Sequence, residues 1–247
     1  MKIALLTALL AGSAAAQALP EPPPLIRVTR TLLPDGSIGA RFAGKATIAV
    51  LGMPTVSGPA ETWMLEVYDS FASLEQTDLA IRPLGSGRGV LGEPFNPAAM
   101  STSWLAVYRP WLSYRPVEAS QALFRMRYMQ ALVFRVNPVD EEAFVEAVKA
   151  RKVTLDGINL DRPEMAYQVI SGAGTITYVF FAPLLSLKSL DEGLARPPVY
   201  ARHAAKAAAA ANLSHENFLL RVEPGLSMVP DALAEADKPF WRPGEQK

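Results

Sequence analysis

Tyr167-Gln-Val-Ile-Ser-Gly-Ala-Gly-Thr-Ile-Thr-Tyr-Val-Phe-Phe181 is the stretch whose reading decides the fold. It reads as two strands, Ala166–Ile170 and Thr175–Phe181, joined by a turn at Ser171-Gly172-Ala173-Gly174, where the glycines admit backbone angles other residues avoid. The second strand is apolar on both faces. Ile176, Tyr178 and Phe180 fall on one side, Val179 and Phe181 on the other. Such a strand belongs inside a sheet that is covered above and below.

An echo lies earlier in the chain. Val56-Ser57-Gly58 aligns with Ile170-Ser171-Gly172 at an offset of 114 residues. Val107-Tyr-Arg-Pro-Trp-Leu-Ser-Tyr-Arg-Pro116 aligns with Arg221-Val-Glu-Pro-Gly-Leu-Ser-Met-Val-Pro230 at the same offset, with both prolines and the Leu-Ser coinciding. Phe71-Ala-Ser-Leu74 sits where Leu184-Leu-Ser-Leu187 does, one residue out of step. A shared offset across separated segments predicts an internal repeat.

Each half reads in the same order. In the first, strands are predicted at Leu25–Leu33, Ala49–Val56, Glu61–Tyr68 and Trp104–Arg109. A short helix over 37–46 is interrupted by Gly39 and Gly44, and a second helix runs from an N-cap at Ser70 through Leu79. In the second half, strands are predicted at Tyr128–Val136, the quoted pair, and Phe218–Val222. Asp140 is read as the cap of a helix that buries Phe144, Ala147 and Val148. A helical stretch from Ser186 breaks at Pro197-Pro198, and Val199–Asn212 is an alanine-rich helix. Strand–helix–strand–strand–helix–strand is the ferredoxin-like order. The expected class is α+β: two tandem ferredoxin-like units, 19–118 and 119–247 with a C-terminal tail, packed sheet to sheet as a pseudo-dimeric α/β barrel. Helices cover one face of each sheet, and the opposite apolar face needs the other unit as its cover.

Residues 1–18 read as a secretory signal peptide. Lys2 is the positive start, Ile3–Ala11 the apolar core, and Ala16-Gln17-Ala18 the cleavage site. This predicts a periplasmic or extracellular protein with no membrane span. With 24 Lys+Arg against 24 Asp+Glu, there is no basic field to draw nucleic acid. The absence of cysteine excludes disulfides, thiolate nucleophiles and cysteine-ligated metal centres.

The repeat, the apolar strand pairs, and the elements Ser70-Phe-Ala-Ser-Leu74 and Tyr178-Val-Phe-Phe-Ala-Pro183 resemble the dimeric α/β-barrel superfamily, and within it NIPSNAP-like proteins and exported bacterial proteins of that kind. The resemblance covers most of residues 25–243. It implies a barrel, and a company that includes cofactor-free monooxygenases and haem proteins such as chlorite dismutase-like enzymes. No catalytic signature of those enzymes stands in the sequence, so no active-site residue follows from it. The degraded helix over 37–46 is a departure from the pattern. A tandem repeat supplies internally the interface that single-unit relatives make by dimerising, which predicts a monomer.

Candidate chemistry is thin. Trp104, Tyr108, Arg109, Trp111 and Tyr114 are read as a ligand-binding cluster of aromatics with an arginine for an anion, or as packing over a barrel end. His203 is read as a haem axial ligand, by analogy with haem-binding barrels, or as a histidine packed among alanines. His215 reads as a surface residue, and no metal site is expected. Gly85-Ser-Gly-Arg-Gly89 lacks the strand and helix that a phosphate loop needs, so it reads as a connection. Pro239-Phe-Trp-Arg-Pro243 reads as an apolar plug that docks the tail. The expected role is binding of a small apolar or aromatic molecule, or of a partner chain, without a cofactor. A haem-dependent or cofactor-free oxidoreductase and a structural or assembly protein are the alternatives.

Overall fold

Eight antiparallel strands form one sheet in the computed structural model, which describes residues 21–32, 49–81, 100–123, 125–194 and 214–243. The strands are β1 (Leu25–Leu32), β2 (Val50–Pro54), β3 (Glu61–Tyr68), β4 (Met100–Tyr108), β5 (Tyr128–Val136), β6 (Met165–Ser171), β7 (Ile176–Leu184) and β8 (Ser214–Arg221). Their spatial order is β2-β3-β1-β4-β6-β7-β5-β8. The two edge strands then approach each other. Val56 N–H donates to Leu219 O at 2.8 Å and Thr55 bridges Leu220, so the sheet curls into a nearly closed barrel. Closure removes the exposed edges that an open sheet would offer to other chains.

Two strands match their predicted bounds, β3 and β5. Two begin four residues earlier than the apolar pattern indicates, β4 at Met100 and β8 at Ser214. The added β4 residues Ser101, Thr102 and Ser103 are polar and exposed, so no hydrophobic alternation marks them. They are held by backbone pairing with β1 and by hydroxyl contacts: Thr29 with Ser103 at 3.2 Å, Thr31 with Ser101 at 3.0 Å.

The barrel has a filled interior and a helix-covered outside. Val179 and Phe181 of β7 point inward, where Trp63 meets Phe181, Trp104 and Phe218 at ring-centroid distances of 6.5, 6.2 and 4.9 Å. Tyr178 and Phe180, on the other face of β7, lie under Phe144 and Val148 of the helix Glu141–Gly157 (α3). Each such buried aromatic contributes about 1.5–3 kcal/mol relative to exposure, which accounts for a strand apolar on both sides. The C-terminal tail adds to the interior: Trp241 is buried with it, and the Arg127 guanidinium lies 3.9 Å from the Phe240 ring centroid.

The aligned Pro-x-Leu-Ser segments perform the same task at two places. Pro110–Leu112 and Pro224–Leu226 are each a single 3-10 turn with a buried leucine. Ser113 Oγ accepts from Ala166 N–H at 2.9 Å and donates to Arg109 O at 3.0 Å. Ser227 Oγ accepts from Gly52 N–H at 3.0 Å and donates to Glu223 O at 2.8 Å. Beyond each serine a bridge follows, Tyr114 with Glu164 and Met228 with Val50. Every partner in one set lies 114 residues from its counterpart in the other. The first set joins the end of β4 to β6, the second joins the end of β8 to β2. These are the two seams of the barrel.

Ser70 caps the helix Phe71–Ile81 (α1), its Oγ accepting from Ser73 N–H at 3.1 Å, and a short helix, Pro116–Ala122 (α2), follows the first 3-10 turn. Asp140 stands at the N-cap position of α3, as expected, but not as a side-chain cap. It ends a 3-10 turn at Pro138–Asp140 and makes no side-chain cap bond, and Asn137 accepts from Val139 N–H in its place. The helical stretch expected from Ser186 is a helix over Lys188–Leu194 (α4). The expected helix over 37–46, the Gly85–Gly92 connection and the alanine-rich helix Val199–Asn212 lie outside the described residues. Among the described residues no helix is long and apolar enough to cross a membrane.

Gly58 and Gly172 both adopt left-handed φ, +96° and +90°. A Cβ on Gly58 would meet open space, whereas one on Gly172 would stand 2.0 Å from Ser103 O. Gly58→Ala should therefore cost about 1–2 kcal/mol, the strain of the angle alone. Gly172→Ala should cost about 2–5 kcal/mol, because a backbone atom cannot yield as a side chain does. Urea unfolding of both variants checks this; equal losses would mean that β4 moves aside freely.

Candidate functional site

Inward-facing positions turn from apolar to polar at one end of the barrel. Arg30 lies two residues beyond Val28, Glu61 two before Trp63, Thr102 two before Trp104, Arg135 two after Val133, Thr177 two before Val179 and Glu216 two before Phe218. A strand alternates its side chains with period two, so all six share the inward phase. Together with Trp104 and the β6–β7 turn Gly172-Ala173-Gly174, they line a pocket of about 570 Å³ at the barrel mouth. That volume suits a small molecule.

The floor of the pocket is a fixed charge. Arg30 donates from Nε and Nη2 to both oxygens of Glu61 at 3.0 and 2.9 Å, and Trp63 Nε1 donates to Glu61 Oε2 at 3.0 Å. The guanidinium carbon lies 4.7, 4.8 and 5.3 Å from the ring centroids of Phe218, Trp63 and Trp104. A planar cation between aromatic faces gains from both the rings and the fork of a carboxylate. Arg30 thus joins the apolar interior to the polar mouth.

The upper pair is looser. Glu216 Oε2 accepts from Arg30 Nη1 at 3.4 Å and from Arg135 Nη2 at 2.9 Å. Their side chains are 37% (Glu216) and 35% (Arg135) exposed. Among the described residues, Glu216 Oε1 and the remaining Arg135 donors have no partner. The two groups present opposite charges side by side.

The five residues of the sequence-predicted aromatic cluster do not share one site. Trp104 lines the mouth pocket. Tyr108 packs on Tyr167 at 5.6 Å, and Tyr167 donates to Pro23 O at 3.0 Å. Burial pushes the Tyr167 hydroxyl up, leaving it a neutral donor. Arg109 donates to Gln168 Oε1 from Nε and Nη2 at 2.8 and 2.6 Å, with its guanidinium carbon 5.4 Å from the ring centroid of an exposed Trp111. Tyr114 is buried with Leu155 and Leu160 behind the β4–β6 seam. Strand alternation followed by a 3-10 turn sends neighbours in sequence to different surfaces. His203 lies outside the described residues. His215 is exposed and stacks on Phe134 outside the barrel. The mouth quartet Arg30, Glu61, Arg135 and Glu216 has a signal in the sequence, namely a charged residue in inward phase at the end of an apolar strand.

Two further charge clusters serve packing. Glu66, on the outer face, accepts from Arg27 Nη2 and from the Tyr68 hydroxyl, both at 2.5 Å. Burial, then the Glu66 carboxylate, pushes the Tyr68 hydroxyl up. Arg151 grips Glu164 with two bonds beside the β4–β6 seam. Among the described residues no group of three or more histidine, aspartate or glutamate side chains is placed to hold a metal ion. Among the described residues the pocket lining contains no histidine, cysteine or tyrosine for a haem iron.

No family model and no curated protein sequence matches the chain. Solved structures do. An anthrone oxidase-like protein matches with a TM-score of 0.54 at 12% identity, over 81% of this chain and 92% of that one. A monooxygenase-like protein from Lactobacillus acidophilus gives 0.48 at 11% identity, over 81% and 94%. A variant of the chlorite dismutase from Candidatus Nitrospira defluvii gives 0.48 at 13% identity, over 90% and 97%. The likeness to the first of these shows that the barrel described above shares that protein's fold. At such identities the likeness extends to the fold and not to the chemistry.

The two arginines of the mouth should behave differently on substitution. Arg30→Met strands the enclosed Glu61 carboxylate and should cost about 3–5 kcal/mol. Arg135→Gln breaks one part-exposed pair and should cost under about 1 kcal/mol. Chemical unfolding of both variants tests the assignment of floor and rim; similar losses would contradict it.

Proposed function

We propose that the protein is an exported binding protein that takes a small planar, aromatic-bodied molecule at the barrel mouth. The observation that carries this reading is the pocket of about 570 Å³ with Trp104 in its wall and, on its rim, Arg135 donors and a Glu216 oxygen that have no partner among the described residues. The centre of the barrel is filled by Trp63, Phe181 and Phe218, which moves the site from between the two halves to the end. Of the sequence-predicted cluster, Trp104 keeps a ligand-facing role in this proposal.

The chain is further proposed to be two ferredoxin-like units in tandem, over 19–118 and 119–247, behind a cleaved leader at 1–18. Two features support the tandem: the strand order within each half, and the seam bonds that recur 114 residues apart. On this reading each seam pairs strands from different units, and the mature protein is a periplasmic or extracellular monomer. A mature mass beginning near Leu19, with a monomeric mass in solution, is the expected outcome; a stable dimer or a retained leader would contradict it.

Gly174 provides the direct test of the pocket. It lies on the lining, and a Cβ there would meet nothing within 4 Å, so Gly174→Phe introduces a bulky side chain at the mouth with no clash at its root. The mature protein should bind at least one of indole, p-cresol and benzoate saturably in equilibrium dialysis. Gly174→Phe should lose that binding while keeping its unfolding midpoint. Binding that survives the substitution would place the ligand elsewhere.

A cofactor-free oxidoreductase is the second reading, favoured by the fold likeness to an anthrone oxidase-like protein. It expects oxygen uptake on addition of anthrone to the wild-type protein, and its loss in Gly174→Phe. Uptake no faster than that of anthrone in buffer would remove it.

A further inference from the structure

We infer that the molecule taken at the mouth is a zwitterion, an aromatic body whose head group carries a carboxylate and an ammonium on neighbouring atoms. The inference rests on the mouth being the binding site, as proposed above, and it concerns what the rim reads.

The rim offers Arg135 and Glu216 as an adjacent pair, their nearest atoms 2.9 Å apart. Arg135 has donors to spare, and Glu216 has one oxygen without a partner among the described residues. A bare anion seated on Arg135 would stand beside the Glu216 carboxylate and be repelled by it. A bare cation seated on Glu216 would meet Arg135 in the same way. Nor can Glu216 turn aside without loss, because it also accepts from Arg30, whose other bonds are committed to Glu61. The floor therefore holds Glu216 in place as a standing charge filter.

A head group with both charges avoids each conflict. Its carboxylate takes the open Arg135 donors and its ammonium takes Glu216 Oε1. The result is a ring of alternating charges in which no existing pair is broken. The aromatic body then runs toward Trp104, past Gly172 and Gly174, which present no side chain to obstruct it. The whole lining supports this sign balance, since its charged groups are two arginines and two glutamates.

The test uses three probes with a common benzyl body, L-phenylalanine, phenylacetate and phenethylamine, titrated into the full mature protein by calorimetry. L-phenylalanine should bind at least about tenfold tighter than either single-charge probe, the worth of one extra charged hydrogen bond. Glu216→Gln, confirmed as folded by its unfolding midpoint, should weaken L-phenylalanine and strengthen phenylacetate, each by about tenfold, bringing the two together or reversing their order. Equal affinities for the three probes, or phenylacetate tightest on the wild type, would overturn the inference. If that binding were still lost in Gly174→Phe, the mouth itself would stand as the site. Failure of all three probes while indole, p-cresol or benzoate binds also overturns the inference alone. Failure of every probe, aromatic panel included, overturns the mouth as a binding site together with it.

Discussion

β7 and its neighbour β5 run through the protein as strands that must be covered on both faces, and most of the architecture answers that requirement. One face receives α3, with Phe144 and Val148 laid over Tyr178 and Phe180. The other face cannot be covered by a helix of the same half, because each crossover returns on one side of its sheet. The remaining cover is the other half of the chain, whose Trp63, Leu65 and Trp104 meet Val179, Phe181 and Phe218 across the interior. Curling eight strands into one nearly closed sheet achieves that contact and disposes of the edges at once.

A barrel filled with aromatics needs an end, and the end is chemically abrupt. Within one inward step, Trp63 gives way to Glu61, Phe218 to Glu216 and Val28 to Arg30. Arg30 makes the transition affordable in physical terms, because its plane stacks on rings while its edge satisfies a carboxylate. Lysine, a compact and strongly hydrated point charge, lacks both properties. In the proposed binding reading, the rigidity of the floor is what the rim's discrimination depends on, since a movable carboxylate would adapt to any head group. Fold and pocket are in this sense one object: the same side chain terminates the packing and floors the mouth.

The hairpin, β3 and β5 were legible in the sequence because their apolar pattern is uninterrupted. The shared Leu-Ser and prolines were legible as a recurrence, though not as serine clips, since a hydroxyl that bonds a distant backbone N–H leaves no periodic trace. The early parts of β4 and β8 were hidden for the opposite reason: Ser101, Thr102 and Ser103 are held by ladder and hydroxyl bonds and carry no apolar alternation. The aromatic run from Trp104 to Tyr114 looked like a site because its members are close in sequence. The mouth quartet carries no such mark, because its members are far apart in sequence and because a charged residue in a strand ordinarily faces water. Only the phase relation to Val28, Trp63, Val133 and Phe218 sets these four apart.

The place of β8 in the sheet has a consequence for the order of biosynthesis. Seven strands emerge from the ribosome before it, yet β8 supplies the partner of the β2 edge, the Phe218 ring against Arg30 and the Glu216 carboxylate of the rim. Until the last strand is made, the nascent chain carries an open edge at β2 and an arginine lacking one of its aromatic walls. Closure of the barrel and completion of the pocket therefore both wait for β8. A chain cut short before Ser214 would lose one wall of the mouth pocket and its protection against edge pairing together.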